Sequence, residues 1–370
     1  MVGPTFLCHS YVTLNQKFST RTIIRNSSLS ASKNHKKFET GVKFRYNDND
    51  YYLREKGGPG MATYQALQFT GDSAKPLIWV NKALPAARTL PPDQVLVAVQ
   101  YSRINHKDRL ALNPKNRIIA GNDYPLVGGI DLAGVITASN QPVWPVGTAV
   151  IATGFDLGTA RDGGFAEYAQ VPIQYLTQLP TGLSAQEAMA LGTAGLTAAA
   201  ALTELFRVTA LTDKTAPILI TGGHSAVGQI AAGILQRRRY ANVTISSAHD
   251  WPAPAQALAH AKYAAALDTV GGDALSVILP QIAPGGTVVA VGNLGQAQLT
   301  TSIYPFILRG IRLQGIDSVH LLPADRAELW QLLATNLRPT PFPDFPTISF
   351  DQLPAALLAA NQPSPVIAVA

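Results

Sequence analysis

Residues 217–228 read PILITGGHSAVG, a short apolar run followed by a turn that contains glycines. This pattern predicts a strand over 217–221, then a turn, then a helix that begins near Ala226. Backbone N–H groups at the start of such a helix, with the positive end of its dipole, can hold the pyrophosphate of a dinucleotide. Gly222 permits the tight turn, and Gly228 lets helix and strand approach closely. The stretch therefore predicts a dinucleotide site.

Ser225 stands where such turns usually carry their middle glycine, whose missing side chain lets the cofactor come near. A serine is the mildest intrusion at this place, because its hydroxyl can donate to a phosphate oxygen. The alternative is an ordinary strand–helix turn that binds nothing.

The next predicted strand, within NVTISSAHD (242–250), bears on the choice between NAD and NADP. An acid at its end would bind the ribose hydroxyls of NAD, but the first acid is Asp250, which lies beyond the strand. Ser246, Ser247 and His249 could instead face a 2′-phosphate. Because no arginine accompanies them, they favour NADP only weakly.

Metal chemistry finds little support in the residue pattern. The segment GGIDLAG (128–134) has no cysteine, and no histidine accompanies Asp131 as a ligand. Cys8 is the only cysteine, and no two histidines have the i, i+4 spacing of a helical metal site. We therefore expect no metal centre, so that any acceptor of a hydride must be polarised by other groups.

Composition and charge narrow the class of protein. Hydrophobic residues make up 47% and charged residues 14% of the 370, which is typical of a globular protein. The net charge of +6 lies within residues 1–60, which hold ten Lys/Arg and four Asp/Glu, whereas residues 61–370 hold nineteen of each sign. A neutral body argues against nucleic-acid binding. No run approaches the roughly 20 apolar residues of a membrane span.

The first 60 residues differ from the rest in composition. They are rich in Ser, Lys and Arg, and no acid precedes Glu39. They fit an organelle transit peptide, or an extension upstream of a start at Met61 that carries no fold. The second interpretation is favoured and predicts a cytoplasmic protein, with organelle import if a transit peptide is genuine.

The predicted elements change in character along the chain. Short apolar strands between Pro, Gly and Asn breaks predict a β-rich region from Met61. An alanine-rich helix, or two abutting helices, follows Ser184, a predicted N-cap with Glu187 three residues on. Apolar strands then alternate with helices, as in a parallel sheet covered on both faces. The terminal strand PVIAVA is expected to return to the first region.

Several motifs, in order along the chain from Met61, resemble the zinc-independent medium-chain dehydrogenase/reductases and, within them, the AcuI/YhdH-type acrylyl-CoA reductases often labelled quinone oxidoreductases. They are SRINHKD (102–108), PLVGGIDLAG (125–134), GGFAEYAQV (163–171), GTAGLTA (192–198), ITGGHSAVG (220–228), LDTVGG (267–272) and PFILRGIRLQGIDSV (305–319). The resemblance implies an α/β fold in which a Rossmann-type nucleotide-binding domain is inserted in a β-rich GroES-like catalytic domain. The expected bounds are 1–60 for the extension, 61–184 and 307–370 for the catalytic domain, and 185–306 for the Rossmann-type domain.

The resemblance also implies a reaction, in which NADPH reduces a carbon–carbon double bond conjugated to a carbonyl, as in acrylyl-CoA or a related enone. Asn105 and His106 are the implied catalytic residues beside the nicotinamide. The expected cofactor contacts are His106, Thr193, Thr197, Gly222, His224, Ser225, Ala226, Val227, Gly228, Ser246, Ser247, Ala248, Gly292, Asn293 and Leu294. The partner is a small-molecule substrate. Homodimers are common in this family, but the sequence itself leaves the oligomeric state open.

Departures from the family pattern keep other functions open. His106 replaces a tyrosine, Ala248 replaces the arginine of a Ser-Gly-Arg clamp on the 2′-phosphate, and the segment between Asp250 and Tyr263 is too short for the usual helix and strand. The arginine that usually precedes the last strand is also missing, which weakens the case for an acyl-CoA substrate. Quinone reduction and a catalytically silent nucleotide-binding protein therefore remain as alternatives.

Overall fold

The structure is a computed structural model that describes residues 62–209, 211–251, 256–359 and 364–370. The expectations for residues 1–60 and for a start at Met61 lie outside the described residues.

The described chain contains fifteen strands and seven α-helices. The strands are β1 Thr63–Phe69, β2 Leu77–Ala83, β3 Gln94–Arg103, β4 Leu126–Val127, β5 Asp131–Ser139, β6 Ala149–Thr153, β7 Tyr168–Pro172, β8 Leu176–Gln178, β9 Ile218–Ile220, β10 Val243–Ile245, β11 Tyr263–Asp268, β12 Ile282–Ala290, β13 Arg312–Gly315, β14 Thr347–Ser349 and β15 Val366–Ala368. The helices are α1 His106–Ala111, α2 Ala185–Val208, α3 Ala226–Arg237, α4 Gly272–Ile278, α5 Tyr304–Arg309, α6 Pro323–Ala334 and α7 Leu353–Leu358.

The β-rich region is formed by both ends of the described chain. A three-stranded sheet has the order β2-β1-β4, and a seven-stranded sheet has the order β14-β15-β3-β5-β6-β8, with β7 paired to β3. Strand β15 pairs antiparallel with β3, so that Ile367 lies opposite Ser102. The terminal strand thus returns to the first region, as its apolar sequence predicted.

The second region is a parallel sheet in the order β10-β9-β11-β12-β13. Strand β9 is entirely buried, as expected of a strand covered on both faces. The predicted fold class, a Rossmann-type domain within a β-rich domain, is confirmed. The sheet includes β13, which lies after residue 306, where the predicted Rossmann-type domain ends.

Helix α2 begins with the predicted capping box. The Ser184 hydroxyl accepts the Glu187 N–H, and the Glu187 carboxylate accepts the Ser184 N–H at 2.9 Å. The helix is broken at Gly192, where φ is 52° and ψ is −153°, so it is one helical run in two parts. By length and composition α2 could cross a membrane, but 78% of its most apolar window is buried within the fold. It is the core helix that joins the two regions.

The sheet ends at β10. In the described residues between Trp251 and Tyr263, which are 256–262, there is neither a helix nor a strand. Nothing described there pairs with the outer side of β10, and Ile245 is half exposed on this strand. Among the strands of the described residues, β10 is therefore an edge strand.

Candidate active site

The predicted cofactor residues follow the carboxyl ends of neighbouring parallel strands. The glycine turn follows β9, Ser246 follows β10, Thr269 follows β11 and Gly292 follows β12. Because these strands are parallel, their ends lie at one edge of the sheet, where open α/β sheets bind their ligands. The fold thus brings distant segments to one place.

The turn after β9 is built for glycine. Gly222 has φ of +58°, and a Cβ there would lie 2.2 Å from Thr269 Oγ1. A Cβ on Gly228 would lie 2.7 Å from the carbonyl oxygen of Gly222. Any side chain at either place would therefore push the helix away from the strand.

Ser225 is the N-cap of α3. Its hydroxyl oxygen accepts the N–H of Gly228 at 3.1 Å, which leaves its own proton free to donate. The next N–H groups, of Ala226 and Val227, have no acceptor among the residues that the structure describes, as expected for the first turn of a helix. These donors and the close-packed glycines fit a pyrophosphate. His224, the preceding residue, has an exposed side chain, and its carbonyl accepts the Gln229 amide.

Buried polar residues that sequence reasoning missed support this turn. The Thr221 hydroxyl donates to Asp268 at 2.6 Å, and the Thr269 hydroxyl donates to the Thr221 carbonyl at 2.9 Å. Asp268 also accepts the N–H of Gly271 at 2.9 Å. Burial raises the pKa of Asp268, and these hydrogen bonds oppose the shift. The network ties the ends of β9 and β11 together, and the LDTVGG motif was the available signal.

The loop after β12 lies against the same turn. The Leu294 N–H donates to the Thr269 carbonyl at 3.4 Å, and a Cβ on Gly292 would lie 2.5 Å from that oxygen. Leu294 Cδ1 would lie 3.5 Å from a Cβ on Gly222. Asn293 between them is exposed. The predicted segment Gly292–Leu294 therefore neighbours the glycine turn after β9.

The catalytic-domain side of the site is organised by Asp131, the first residue of β5, which is fully buried. Its carboxylate accepts the Thr193 N–H at 2.8 Å, the Thr193 hydroxyl at 2.5 Å and the Asn105 amide nitrogen at 3.0 Å. Burial raises its pKa, while these donors and the charge of Arg103 lower it. Asp131 thus joins two predicted site residues from different regions.

The break at Gly192 creates two new helix ends within α2, and a charged side chain from the β-rich region lies at each of them. The buried Arg103 guanidinium donates to the carbonyls of Met189, Ala190 and Leu191, the last turn before Gly192. Asp131 accepts the first N–H after the break. A cation at a C-terminus and an anion at an N-terminus are both favourable to the helix dipole. The two charges fix where the second part of α2 begins.

Asn105 and His106 lie at the start of α1. Because the Asp131 carboxylate can only accept, the Asn105 amide presents its NH₂ group to Asp131 and its oxygen elsewhere. His106 is exposed, and its side chain has no hydrogen bond to any described residue. Asp108 accepts the Asn105 N–H at 2.7 Å and the Ile130 N–H at 3.1 Å, so it caps the helix.

Thr197, one turn further along α2, contacts the last loop of the sheet region. Its hydroxyl bonds to the Thr193 carbonyl at 2.8 Å and lies 2.7 Å from Ser318 Oγ. Arg326 holds that loop through the Val319 carbonyl at 2.9 Å and also donates to the Thr153 carbonyl at 2.8 Å, at the end of β6. Arg326 therefore joins the two regions beside the site.

Arg309 and Arg312, within the motif PFILRGIRLQGIDSV, donate to backbone carbonyls. The structure places the contacts of Arg309 on the carbonyls of Ala259, Pro280 and Ile282, all on the parallel-sheet side. Arg312 contacts the Val208 and Gly285 carbonyls at 3.4 and 3.2 Å. Sequence reasoning missed Arg326 because an arginine in an amphipathic helix usually marks its exposed face.

The loop after β10 holds its own polar groups. Ser246 is buried, and its hydroxyl accepts the Trp251 indole N–H at 3.1 Å. The Ser247 N–H donates to Asp250 Oδ2 at 2.6 Å, and its hydroxyl accepts the His249 N–H at 3.1 Å. Ala248 packs toward the core cluster of the sheet region.

Within the described chain, no group of three His, Cys, Asp or Glu side chains is placed to hold a metal ion.

A parallel Rossmann-type sheet inserted in a β-rich domain that both ends of the described chain form is the architecture of the medium-chain dehydrogenase/reductase class. Residues 91–181 match the family described as alcohol dehydrogenase GroES-like domain, and residues 238–335 match that described as zinc-binding dehydrogenase.

Three relatives narrow the assignment. The probable acrylyl-CoA reductase AcuI of Escherichia coli is 37% identical over 295 residues, covering 74% of this chain and 88% of the relative. The putative quinone oxidoreductase YhfP of Bacillus subtilis is also 37% identical over 295 residues, covering 75% of this chain and 88% of the relative. Its crystal structure with NAD bound has a TM-score of 0.75, with 35% identity over 83% of this chain and 99% of that one.

The third is the YhdH oxidoreductase of Salmonella enterica in complex with NADP. It has a TM-score of 0.74 and 33% identity, over 83% of this chain and 100% of that one. The chain belongs to this family of acrylyl-CoA reductase and quinone oxidoreductase-like medium-chain dehydrogenase/reductases.

Proposed function

We propose that the protein uses NADPH to reduce a carbon–carbon double bond conjugated to a carbonyl, with acrylyl-CoA or a related enone as substrate. Two observations together carry the proposal. One is the glycine turn Gly222–Gly228 at the edge of the parallel sheet, and the other is the cluster in which Asp131 accepts hydrogen bonds from Asn105 and Thr193. Supporting it are the E. coli relative, described as an acrylyl-CoA reductase, and the Salmonella relative, solved with NADP. Ser225 to Gly228 would hold the pyrophosphate, and Thr193 and Thr197 would lie along the nicotinamide half.

When bound, NADPH would supply the hydride that adds to the β-carbon of the substrate. Electrons of the conjugated system would then shift to the carbonyl oxygen, and the α-carbon would take a proton from solvent. The residues of the site have to stabilise the negative oxygen with a hydrogen-bond donor. The Asn105 NH₂ group donates to Asp131 and, at 3.4 Å, to the Arg103 carbonyl, and the Thr193 hydroxyl donates to Asp131, so the protons of both side chains are already engaged. We assign the role of this donor to His106, whose side chain is exposed and makes no hydrogen bond to any described residue.

The test is to follow oxidation of NADPH by absorbance with acrylyl-CoA, a simple enone and a benzoquinone as separate acceptors. We expect turnover with the first two and a product whose β-carbon carries deuterium when the transferable hydrogen of NADPH is labelled. Turnover of the benzoquinone alone would favour the quinone reductase suggested by the Bacillus relative. Calorimetric binding of NADPH without turnover of any acceptor would identify a silent binder.

His106 variants test the assignment of the donor. We expect His106→Phe to lower kcat by about 100-fold, because removing one donor to a developing oxyanion costs about that much. His106→Gln keeps an N–H donor and should retain kcat within about tenfold of the native value. Equal loss in both variants, or a change in KM alone, would show that His106 only positions the substrate.

We further infer that the protein forms a homodimer through β13 and the adjoining α5. Strand β13 is an edge of the sheet with exposed Arg312, Gln314 and Gly315. Ile307 and Leu308 on α5 are 65% and 63% exposed. An unpaired edge strand beside an apolar patch is self-complementary across a twofold axis, so a second copy of the chain would satisfy both.

A further inference from the structure

We propose that Asp250 is a specificity-determining residue, whose carboxylate occupies the place at which the 2′-phosphate of NADPH would be held and so narrows the preference for NADPH over NADH. The inference rests on the proposed function, since it concerns the adenosine end of the same cofactor site.

Asp250 lies near the end of β10 in the fold, although several residues separate it from that strand in the sequence. Strand β10 ends at Ile245, five residues earlier, but the chain turns back, so that Asp250 Oδ2 accepts the Ser247 N–H at 2.6 Å. The Ser247 hydroxyl accepts the His249 N–H at 3.1 Å and closes the turn. An acid at the end of the second strand is the device by which Rossmann-type sites bind the ribose hydroxyls of NAD. Folding of the loop supplies such an acid here.

The Ser246 side chain, which directly follows β10, is already engaged within the fold. Ser246 is only 8% exposed, its hydroxyl accepts the Trp251 indole N–H at 3.1 Å, and it lies 3.4 Å from the Ile220 carbonyl to which it can donate. Ala248 offers no side-chain donor. The next N–H along the loop is that of Ser247, and Asp250 accepts it, so a phosphate would have to compete with this carboxylate.

The negative charge of Asp250, like its hydrogen bond to Ser247, opposes binding of a 2′-phosphate. A 2′-phosphate carries nearly two negative charges, and Asp250 is exposed and accepts an N–H that the phosphate would use. Like charges about 4 Å apart in solvent-exposed surroundings repel enough to weaken binding by about tenfold in total. NADH carries no such phosphate and avoids this repulsion. The carboxylate therefore lowers affinity for NADPH selectively.

The experiment measures Kd for NADPH and for NADH by isothermal titration calorimetry on the full chain. The variants are Asp250→Asn, which removes the charge but keeps an acceptor for Ser247, and Asp250→Ala, which also frees that N–H. We expect the ratio of the NADH Kd to the NADPH Kd to rise by about threefold in the first variant and about tenfold in the second. The increase in affinity for NADPH in these variants should become smaller as salt is added.

Asp213→Ala provides the matched control. Asp213 closes a similar exposed turn, accepting the Thr215 N–H at 2.8 Å, but it precedes β9 and so lies at the other end of the strand. Its removal should leave the ratio unchanged. An unchanged ratio in both Asp250 variants, with binding intact, would overturn the inference while leaving the proposed function in place. If the native chain binds neither nucleotide, the proposed function itself fails.

Discussion

At the scale of single residues, the candidate site depends on buried carboxylates that accept hydrogen bonds from backbone and side-chain donors. Asp131 fixes the orientation of Asn105, and Asp268 fixes the ends of two strands. Asp108 belongs to the same group, because it is 1% exposed and accepts the N–H groups of Asn105 and Ile130. All three carboxyl groups have a pKa raised by burial.

The pKa of Asp108, raised by burial to about 7 against three backbone donors that lower it, predicts how stability depends on pH. A carboxyl whose pKa is higher in the folded than in the unfolded chain stabilises the fold below its unfolded pKa and loses that contribution as pH rises through the folded value. The free energy of unfolding should therefore fall between about pH 4 and pH 7, by up to about 4 kcal/mol from Asp108. Urea denaturation across this range measures the slope.

Asp108→Asn is the variant that isolates this contribution. It keeps an oxygen acceptor for the N–H groups but does not titrate, so its slope over the same range should be shallower than that of the native chain. Asp131 and Asp268 have pKa shifts in the same direction and should leave a residual slope. Parallel slopes in the two proteins would show that Asp108 does not titrate in this range.

At the scale of elements, the break in α2 sets the geometry of the site. Gly192 has φ of +52°, and a Cβ there would lie 2.5 Å from Asp131 Oδ2. No side chain can be placed at this position without moving the carboxylate that holds Asn105 and Thr193. The conformation of one glycine in α2 thus governs contacts made by β5 and α1.

Gly192→Ala should destabilise the fold by about 3 kcal/mol, because backbone strain and a clash with a buried carboxylate add together. Gly285→Ala is the control, since Gly285 also has positive φ, +73°, but no atom lies within 4 Å of the place that a Cβ would take. That variant should cost only about 1 kcal/mol. Chemical denaturation of both variants gives the comparison, and equal losses would mean that the Asp131 contact carries no cost.

Sequence reasoning succeeded where a local signal was strong. The strand and turn around Gly222, the capping box at Ser184 and the return of the last strand each follow from short-range pattern and side-chain chemistry. The roles of Asp131 and Arg103 could not be foreseen, because both depend on the position of a helix break some 60 to 90 residues away in the chain. The place of Asp250 beside Ser247 could not be predicted either, because residue spacing does not show how the loop after β10 folds back.

At the scale of the whole molecule, two edges of the parallel sheet remain open in the described chain, one at β10 and one at β13. The edge at β13 adjoins the apolar side chains Ile303, Ile307 and Leu308, each more than 60% exposed. The edge at β10 has only Ile245 as a large exposed apolar side chain. The asymmetry favours association through β13.

Leu308→Glu combined with Ile307→Glu should convert the dimer to a monomer, because buried unpaired carboxylates are costly at an apolar interface. Light scattering after size-exclusion chromatography measures the mass. Val143→Glu, at a residue 74% exposed in the β-rich region, is the control and should remain dimeric. A native mass of one chain would contradict the inference directly.

The contacts of Trp251 have a consequence for the intrinsic fluorescence of the protein. Its indole nitrogen donates to Ser246 and its ring packs toward the cluster that contains Leu275 and Ile278. Indole emission depends on such hydrogen bonding, so a nucleotide that displaces Ser246 at the adenosine end would change the intrinsic fluorescence of the protein. The reduced nicotinamide emits at the opposite end of the same cofactor. The Trp251 contribution to the protein emission and the emission of the nicotinamide would therefore report separately on the two halves of one bound molecule.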